Sequence, residues 1–283
     1  MVKISIKKRL YLLIIPLLLG AWFAYEYLVA RPSMTYMGLP QIKNGLASQG
    51  WSRVLRNEGF MLEYSERLAN PLWVVYKVKS QRFKTGKRPR KFMADWRSMT
   101  HVRHQDYTRS GYNRGHMAPN YLIATRYGKK AQKETFLMTN ISPQKGRLNQ
   151  KTWQRLEEVI ANDFSQWHGD FWVVTGPIFD KAPKIIQNTS IAIPKAFYKI
   201  LIKPSDKPFD NQDPKMALAF ILPQNAKTNE NLMTFITSID DVEKQSGIDF
   251  FVALDDSIEE RLEAEVTPNV WRLPEVANRT SRY

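Results

Sequence analysis

The residues able to do chemistry in this chain gather around one histidine and one later stretch. His116 stands in Ser110-Gly111-Tyr112-Asn113-Arg114-Gly115-His116-Met117-Ala118-Pro119. An imidazole titrates near neutrality and can take a proton from water. Arg114 brings a planar, permanent cation whose fork matches phosphate oxygens. Gly115 between them would let the backbone turn sharply. Apart from a metal, these are the groups that hydrolysis of a phosphodiester needs. An Arg-Gly-His triplet alone is equally consistent with a structural histidine.

The second stretch runs from Met138-Thr139-Asn140-Ile141-Ser142-Pro143-Gln144 to Arg147-Leu148-Asn149 and on to Trp153, Leu156 and Glu157. A helix starting near Asn149 would put Asn149, Trp153 and Glu157 on one face at i, i+4 and i+8. Asn149 then offers a neutral carbonyl oxygen, with the Glu157 carboxylate two turns on. Such a set suits Mg²⁺, which keeps several waters and needs few protein ligands. The plain alternatives are a helix N-cap for Asn149 and a solvated charge for Glu157. His101 and His104, three apart, lack the partners of a zinc site, and His168 reads as a turn residue. The absence of cysteine excludes thiolate catalysis, disulfides and Cys-ligated zinc.

The elements that must position these groups are a mixture. Strand-like runs cover 60–64, 72–78, 171–175, 192–202 and 217–221, and helical periodicity covers 149–163 and 231–246. Strands and helices without regular alternation predict an α+β fold. Residues 31–50, with Pro32, Gly38, Pro40, Gly45 and Gly50, read as a linker, leaving 51–283 as the folded domain. Before them, Lys3, Lys7, Lys8 and Arg9 precede an apolar run from Leu10 to Tyr25 that resumes after Glu26. Residues 1–30 are expected to be a retained signal anchor, because Ala24 and Ala30 lack the small residue two positions back that cleavage favours. The basic flank then directs the domain to the non-cytoplasmic side, periplasmic or extracellular; a cleaved, secreted form is the alternative.

Net charge is +15, and five basic residues against one acid in the first 31 leave about +11 for the rest. The domain itself therefore calls for an anionic partner. A basic stretch, Lys77 to Arg97, with Phe83 and Phe92 interleaved, could track phosphates or simply be a solvated loop.

Taken together, Asn113-Arg114-Gly115-His116-Met117-Ala118-Pro119, Thr139-Asn140-Ile141-Ser142-Pro143-Gln144 through Asn149 to Glu157, and Val174-Thr175-Gly176-Pro177 resemble the sugar-non-specific DNA/RNA endonucleases, the endonuclease G-like branch of the ββα-metal nucleases. The resemblance spans Tyr36 to Ile239. It implies a central antiparallel sheet flanked by helices, with the histidine on a hairpin-like arm and the metal-binding asparagine on a helix. It implies His116 as general base, Asn149 as direct metal ligand, Glu157 as the carboxylate holding metal-bound water, Asn140 as a supporting residue and Arg114 as one that steadies the site or the phosphate. It further implies Mg²⁺, with Mn²⁺ as a substitute, DNA and RNA bound through their backbones, and a homodimer. Two positions depart from the family pattern: Asn113 replaces the usual Asp, and Ala161 stands where relatives often carry Arg one turn after the Glu. These departures leave a second expectation open, a catalytically weakened nuclease-like DNA-binding protein tethered at the membrane.

Overall fold

The computed structural model describes residues 6–205 and 216–281, with side chains from Ile14 onward. The basic flank Lys3, Lys7, Lys8 and Arg9 therefore lies outside the described residues or their described side chains. In chain order, helix α1 (Ile6–Tyr25) leads into β1 (Gln41–Ile42), β2 (Ser52–Arg56), β3 (Met61–Ser65) and β4 (Asn70–Val78). Next come β5 (Asn113–His116), α2 (Asn120–Glu134), β6 (Ile141–Gln144), α3 (Trp153–Glu158) and α4 (Ser165–His168). The chain ends with β7 (Phe171–Ile178), β8 (Ala196–Lys203), β9 (Met216–Pro223), β10 (Ile236–Thr237), α5 (Ile239–Ser246), β11 (Ile248–Asp249) and α6 (Asp256–Ala264).

Seven strands form one sheet in the order β10-β9-β8-β7-β4-β3-β2, antiparallel throughout. This is the α+β architecture expected, with β5 and β6 paired apart from it as a separate hairpin. The sheet is buried on both faces, which explains why its strands read as near-continuous apolar runs rather than as alternation. Val74, Tyr76 and Val78 of β4 join Phe171, Val173, Phe197 and Leu201 in one core with Trp153 and Leu156 of α3. Trp73, Val75, Val174, Tyr198 and Ile200 enter the opposite core with Ile239, Val242 and Leu262 of α5 and α6. Each such side chain fully withdrawn from water contributes about 1.5–3 kcal/mol.

Two expected elements take a different form. The stretch 231–246 is not one helix. Asn231 caps only a short 3₁₀ turn, Leu232–Phe235, and Ile236–Thr237 then pairs with β9. Ser238 restarts the chain as N-cap of α5 by accepting from the Asp241 amide. Two capping residues in one stretch therefore yield two elements. The segment 31–50, read as a linker, lies against the second core: Met34, Tyr36, Met37 and Leu39 pack there, Ala47 is buried, and β1 pairs with β11.

α1 carries exposed Leu17, Leu18, Leu19, Trp22 and Phe23, and a 21-residue window, Ile14–Met34, has the length and apolar composition to cross a membrane. Glu26, which interrupts the apolar run, is buried and accepts from Arg56 of β2 at 2.9 and 3.0 Å and from Arg31 at 3.3 Å. The helix is thereby fastened to the sheet edge where it meets the domain.

Gly176 in β7 shows why the Thr-Gly-Pro motif needs glycine. A Cβ there would stand 2.3 Å from the Leu72 carbonyl oxygen and 2.6 Å from the Tyr198 hydroxyl. Tyr198 donates to that same carbonyl at 3.1 Å. Backbone and buried phenol converge where a side chain would be, at the centre of the sheet. Gly176→Ala should cost about 1–3 kcal/mol by overpacking, read as a lowered urea midpoint with unchanged m; an unaltered midpoint would mean that the strands can part without penalty.

Candidate active site

The hairpin sets the histidine. β5 and β6 pair in the register Asn113↔Gln144, Arg114↔Pro143, Gly115↔Ser142 and His116↔Ile141. Gly115 lies in extended strand rather than at the sharp turn expected of it. Its missing Cβ admits the Gln144 side chain, whose Oε1 would stand 2.1 Å from a Cβ. Gln144 is fully buried, so it has little room to retreat. The His116 ring rests against Phe92 and Phe136, with centroids 5.2 and 4.9 Å away.

Asn140 sits below this strand, fully buried. Its Oδ1 accepts from the Ala118 amide at 2.8 Å, and its Nδ2 donates to the carbonyls of Ala118 at 3.1 Å and Thr135 at 2.9 Å. The amide thus clamps the chain two residues beyond His116. Next to it, Thr139 donates to buried Asp95 at 2.7 Å, and Arg97 grips the same carboxylate. Arg114 turns away from the histidine's cavity: its Nε and Nη2 donate to the His104 carbonyl at 3.1 and 2.5 Å, beside the Tyr107 ring. Neither Asn140 nor Arg114 lines the cavity.

The helix supplies the other wall. Residues 148–168 are continuously helical, with wider π turns at Leu148–Thr152 and Val159–Phe164 flanking α3. Asn149 is inside this helix, its amide donating to the Lys145 carbonyl at 2.9 Å, so it is no N-cap. Trp153 is buried against Phe197, while Asn149 and Glu157, one turn to either side of it, line a cavity. A cavity of about 580 Å³ is lined by His116, Asn149, Glu157, Ala161 and Arg88. Three of the five expected site residues therefore share one cavity. Arg88, singled out before only as part of a basic stretch, joins them, with its guanidinium 5.5 Å from the Phe136 ring.

Burial governs the electrostatics. His116 is pulled down to about 3, first by desolvation and then by the Arg88 charge. Its Nε2 is sealed from solvent with no hydrogen-bond partner among the described residues. The ring is consequently neutral at physiological pH, and the same burial makes it a weaker base than a free imidazole. Glu157 is pushed up to about 7, first by desolvation; the Lys199 charge and then the Trp153 indole pull it back. Lys199, on β8 between Phe197 and Leu201, is fully buried and lowered by desolvation. Its Nζ lies 4.3 Å from the Trp153 ring and 3.4 Å from the Thr175 hydroxyl. A lysine in an apolar strand buried on both faces was the sequence signal that could have revealed this support.

The donor set fits a hard divalent cation. Asn149 offers an amide oxygen and Glu157 a carboxylate, and both side chains line the cavity. Oxygen donors of this kind suit Mg²⁺ or Mn²⁺. His101 and His104 belong to no cluster of metal-ligating side chains among the described residues.

The carboxylate form of Glu157 is the one that assists a cation, and its proton affinity is raised in the fold. Cation affinity should therefore weaken as pH falls through about 7. Lys199→Met removes the charge holding Glu157 down, so the midpoint should move to higher pH, while Lys199→Arg should leave it nearly in place. Calorimetric Mn²⁺ titrations between pH 6 and 8.5 read this directly, and coincident midpoints for wild type and Lys199→Met would refute the coupling.

Residues 38–257 match the model of the DNA/RNA non-specific endonuclease family. The chain is 33% identical over 220 residues to Nuclease C1 of Cunninghamella echinulata var. echinulata, covering 71% of this chain and 83% of that protein. It is 30% identical over 210 residues to the mitochondrial nuclease EXOG of Danio rerio, covering 69% of this chain and 59% of the length of that relative. It is 27% identical over 219 residues to mitochondrial endonuclease G of Homo sapiens, covering 71% and 70%. The fold is similar to that in the crystal structure of the EndoG/EndoGI complex, with TM-score 0.65 and 24% identity over 74% of this chain and 89% of that one. With His116, Asn149 and Glu157 gathered around one cavity and a family match across most of its length, this chain belongs to the DNA/RNA non-specific endonucleases.

Proposed function

We propose that the protein is a metal-dependent endonuclease that hydrolyses phosphodiester bonds of DNA and RNA with little regard for sequence. The observation that carries this reading is the meeting of His116, Asn149, Glu157 and Arg88 in one cavity, from a hairpin, a helix and a basic loop. Asn149 would hold a Mg²⁺ or Mn²⁺ ion, with Glu157 orienting its hydration shell. When bound, such an ion supplies Lewis-acid stabilisation of charge developing on the phosphate.

The chain's own groups do the rest. His116, kept neutral by burial, takes the proton from a water that attacks phosphorus in line with the 3′ oxygen; the P–O3′ bond breaks, the departing 3′ oxygen takes up a proton from solvent, and the phosphate stays on the 5′ side. Arg88 supplies a cation near the transferring group, where Ala161 offers none. Asn140 and Arg114 act at one remove, by clamping the strand and loop that carry His116. The exposed Arg90, Lys87 and Lys91 give the rim a phosphate-attracting field without base contacts, consistent with poor sequence discrimination.

The exposed apolar side chains of α1 support a retained membrane anchor, with the domain on the non-cytoplasmic side. Carbonate extraction should leave the full-length protein in the membrane fraction, and protease added to spheroplasts should digest the domain. A soluble product beginning near residue 31 would instead mark a cleaved signal.

His116→Ala should reduce plasmid cleavage by about 10²–10⁴-fold while leaving DNA affinity within a few-fold, and EDTA should stop the wild type. Because Ala161 lines the cavity where relatives often carry Arg, a DNA-binding protein with weakened catalysis is the competing reading. Wild type that binds plasmid yet leaves it supercoiled in Mg²⁺ and in Mn²⁺ would decide for it.

A further inference from the structure

The apolar N-terminal helix ends against the edge of the sheet, not in a free tether. Glu26 lies about one helical turn before Arg31, inside the Ile14–Met34 window that has the length and composition of a membrane span. Arg56 of β2 grips its carboxylate at 2.8 Å, and Arg31 reaches the Val54 carbonyl of the same strand at 3.4 Å. β2 is an outermost strand of the seven-stranded sheet. The sheet edge therefore overlaps the last turn of the apolar helix. With α1 in a bilayer, as the membrane-anchor reading above requires, whatever grips Glu26 stands at headgroup depth.

Beside this clasp lies an apolar surface with nothing over it among the described residues. Arg97 donates to the Arg56 carbonyl at 3.0 Å, and Arg53 donates to the Arg97 carbonyl at 2.6 Å, which seats the loop around Arg97 on β2. In that loop Trp96 is 84% exposed, more than any other large apolar side chain among the described residues, and Met99 is 62% exposed. Trp51, just before β2, is exposed as well, with the Arg53 guanidinium 4.2 Å from its ring. One exposed apolar side chain needs no explanation, but several along one edge mark a surface that something covers.

Charge does not explain this surface. The guanidiniums along the edge are already committed: Arg31 and Arg56 to Glu26, Arg53 to Glu66 at 3.6 Å and Arg97 to Asp95 at 2.7 Å. Two of them also take the Val54 and Arg56 carbonyls, so the edge offers little to an incoming strand. What is left is indole and thioether on a hydrogen-bonded rim. Indole rings settle at the boundary between headgroups and hydrocarbon, where one part of the ring is apolar and the other wet.

We propose that the β2 edge rests on the bilayer, with Trp96 and Met99 seated among lipid headgroups and upper acyl chains beside α1. The domain then meets the membrane through this loop as well as through its anchor, and cannot swing freely about the helix. Because the arginines are spent on protein partners, the contact does not depend on anionic lipid.

The chain has no cysteine, so one introduced thiol takes one label. Full-length protein with Met99→Cys carrying the fluorophore NBD is reconstituted at fewer than one chain per vesicle. The vesicles are phosphatidylcholine, with or without phosphatidylglycerol, and contain lipids bearing a nitroxide near the headgroup or deep in the acyl chain. The shallow nitroxide should quench most of the emission, equally in both mixtures, and adding Trp96→Ser should relieve the quenching. The Trp96 side chain is solvent-exposed, so that substitution should leave the melting temperature in detergent unchanged. Leu18→Cys, labelled in the same way, should be quenched by the deep nitroxide. Asn225→Cys, exposed beyond β9 and about 24 Å across the sheet from β2, should be quenched by neither. A label at position 99 that stays in water while the one at 18 is quenched would overturn the proposal and leave the anchor standing. Absence of quenching at both would overturn the two together. Shielding at 99 that appears only with many chains per vesicle, without nitroxide quenching, would overturn it in favour of a second copy covering Trp96. Quenching that requires phosphatidylglycerol would overturn it in favour of electrostatic attachment.

Discussion

A lysine at the centre of a sheet buried on both faces is the constraint around which the active-site half of the molecule is arranged. Lys199 cannot reach water from β8, so its charge must be balanced within the core, and the Glu157 carboxylate on the overlying helix is the charge that raises its proton affinity. The relation works in both directions. Without the ammonium, a carboxyl as enclosed as Glu157 would keep its proton; without the carboxylate, the lysine would lose its own. Breaking one half of such a pair costs far more than the intact pair contributes, because the survivor is stranded in low dielectric. Trp153 lies between them, its ring under the helix and close to the ammonium, so packing and charge fix the helix together. The helix rotation that exposes Asn149 and Glu157 to the cavity is thus set from beneath, by the sheet.

The hairpin is constrained in a different way, by steric fit and hydrogen bonds rather than by charge. Gln144 fills the space that a side chain at Gly115 would take, and the Asn140 amide satisfies both backbone groups of Ala118. The residues on either side of His116 are therefore held, while the ring itself rests on Phe92 and Phe136. That aromatic bed accounts for the depressed proton affinity of His116: it removes water without offering a partner. An imidazole in this state is already neutral, and an anion brought beside it would raise its proton affinity.

What could be read in the sequence was the chemistry and its order along the chain; what could not was the role each motif residue plays in space. The spacing of Asn149, Trp153 and Glu157 located a helical wall correctly, because a 3.6-residue period survives even where the helix widens into π turns. The arginine of the Arg-Gly-His motif pointed to phosphate on residue type alone, yet it is spent on the His104 carbonyl. Gly115 suggested a turn, but its value is the close approach of Gln144. α2 left little trace, since its basic and polar sequence buries only Leu122 and Ile123 among its larger apolar side chains and is interrupted at Gly128, where φ is 84°. Residues 31–50 looked like a linker because proline and glycine dominate the eye; Tyr36, Met37 and Leu39 were the packing signal.

Ala161, on the wall of the cavity, has two arginines on its backbone side. Arg82 and Arg126 each donate to the Ala161 carbonyl, at 2.9 and 2.8 Å, and both reach the Ser165 hydroxyl at 3.2 Å. Two guanidinium groups thus already occupy the backbone side of this turn, and Arg126 is buried there. A third at position 161 would bring a like charge within the same turn, at a cost that low dielectric magnifies. Arg88, arriving from an exposed loop, can bring its cation into the cavity from the solvent side instead. A helix-borne arginine is held in place before substrate arrives, whereas a loop-borne one must be ordered by the phosphate it meets. A cation that a bound phosphate must order diverts part of the binding energy from affinity to organising the site.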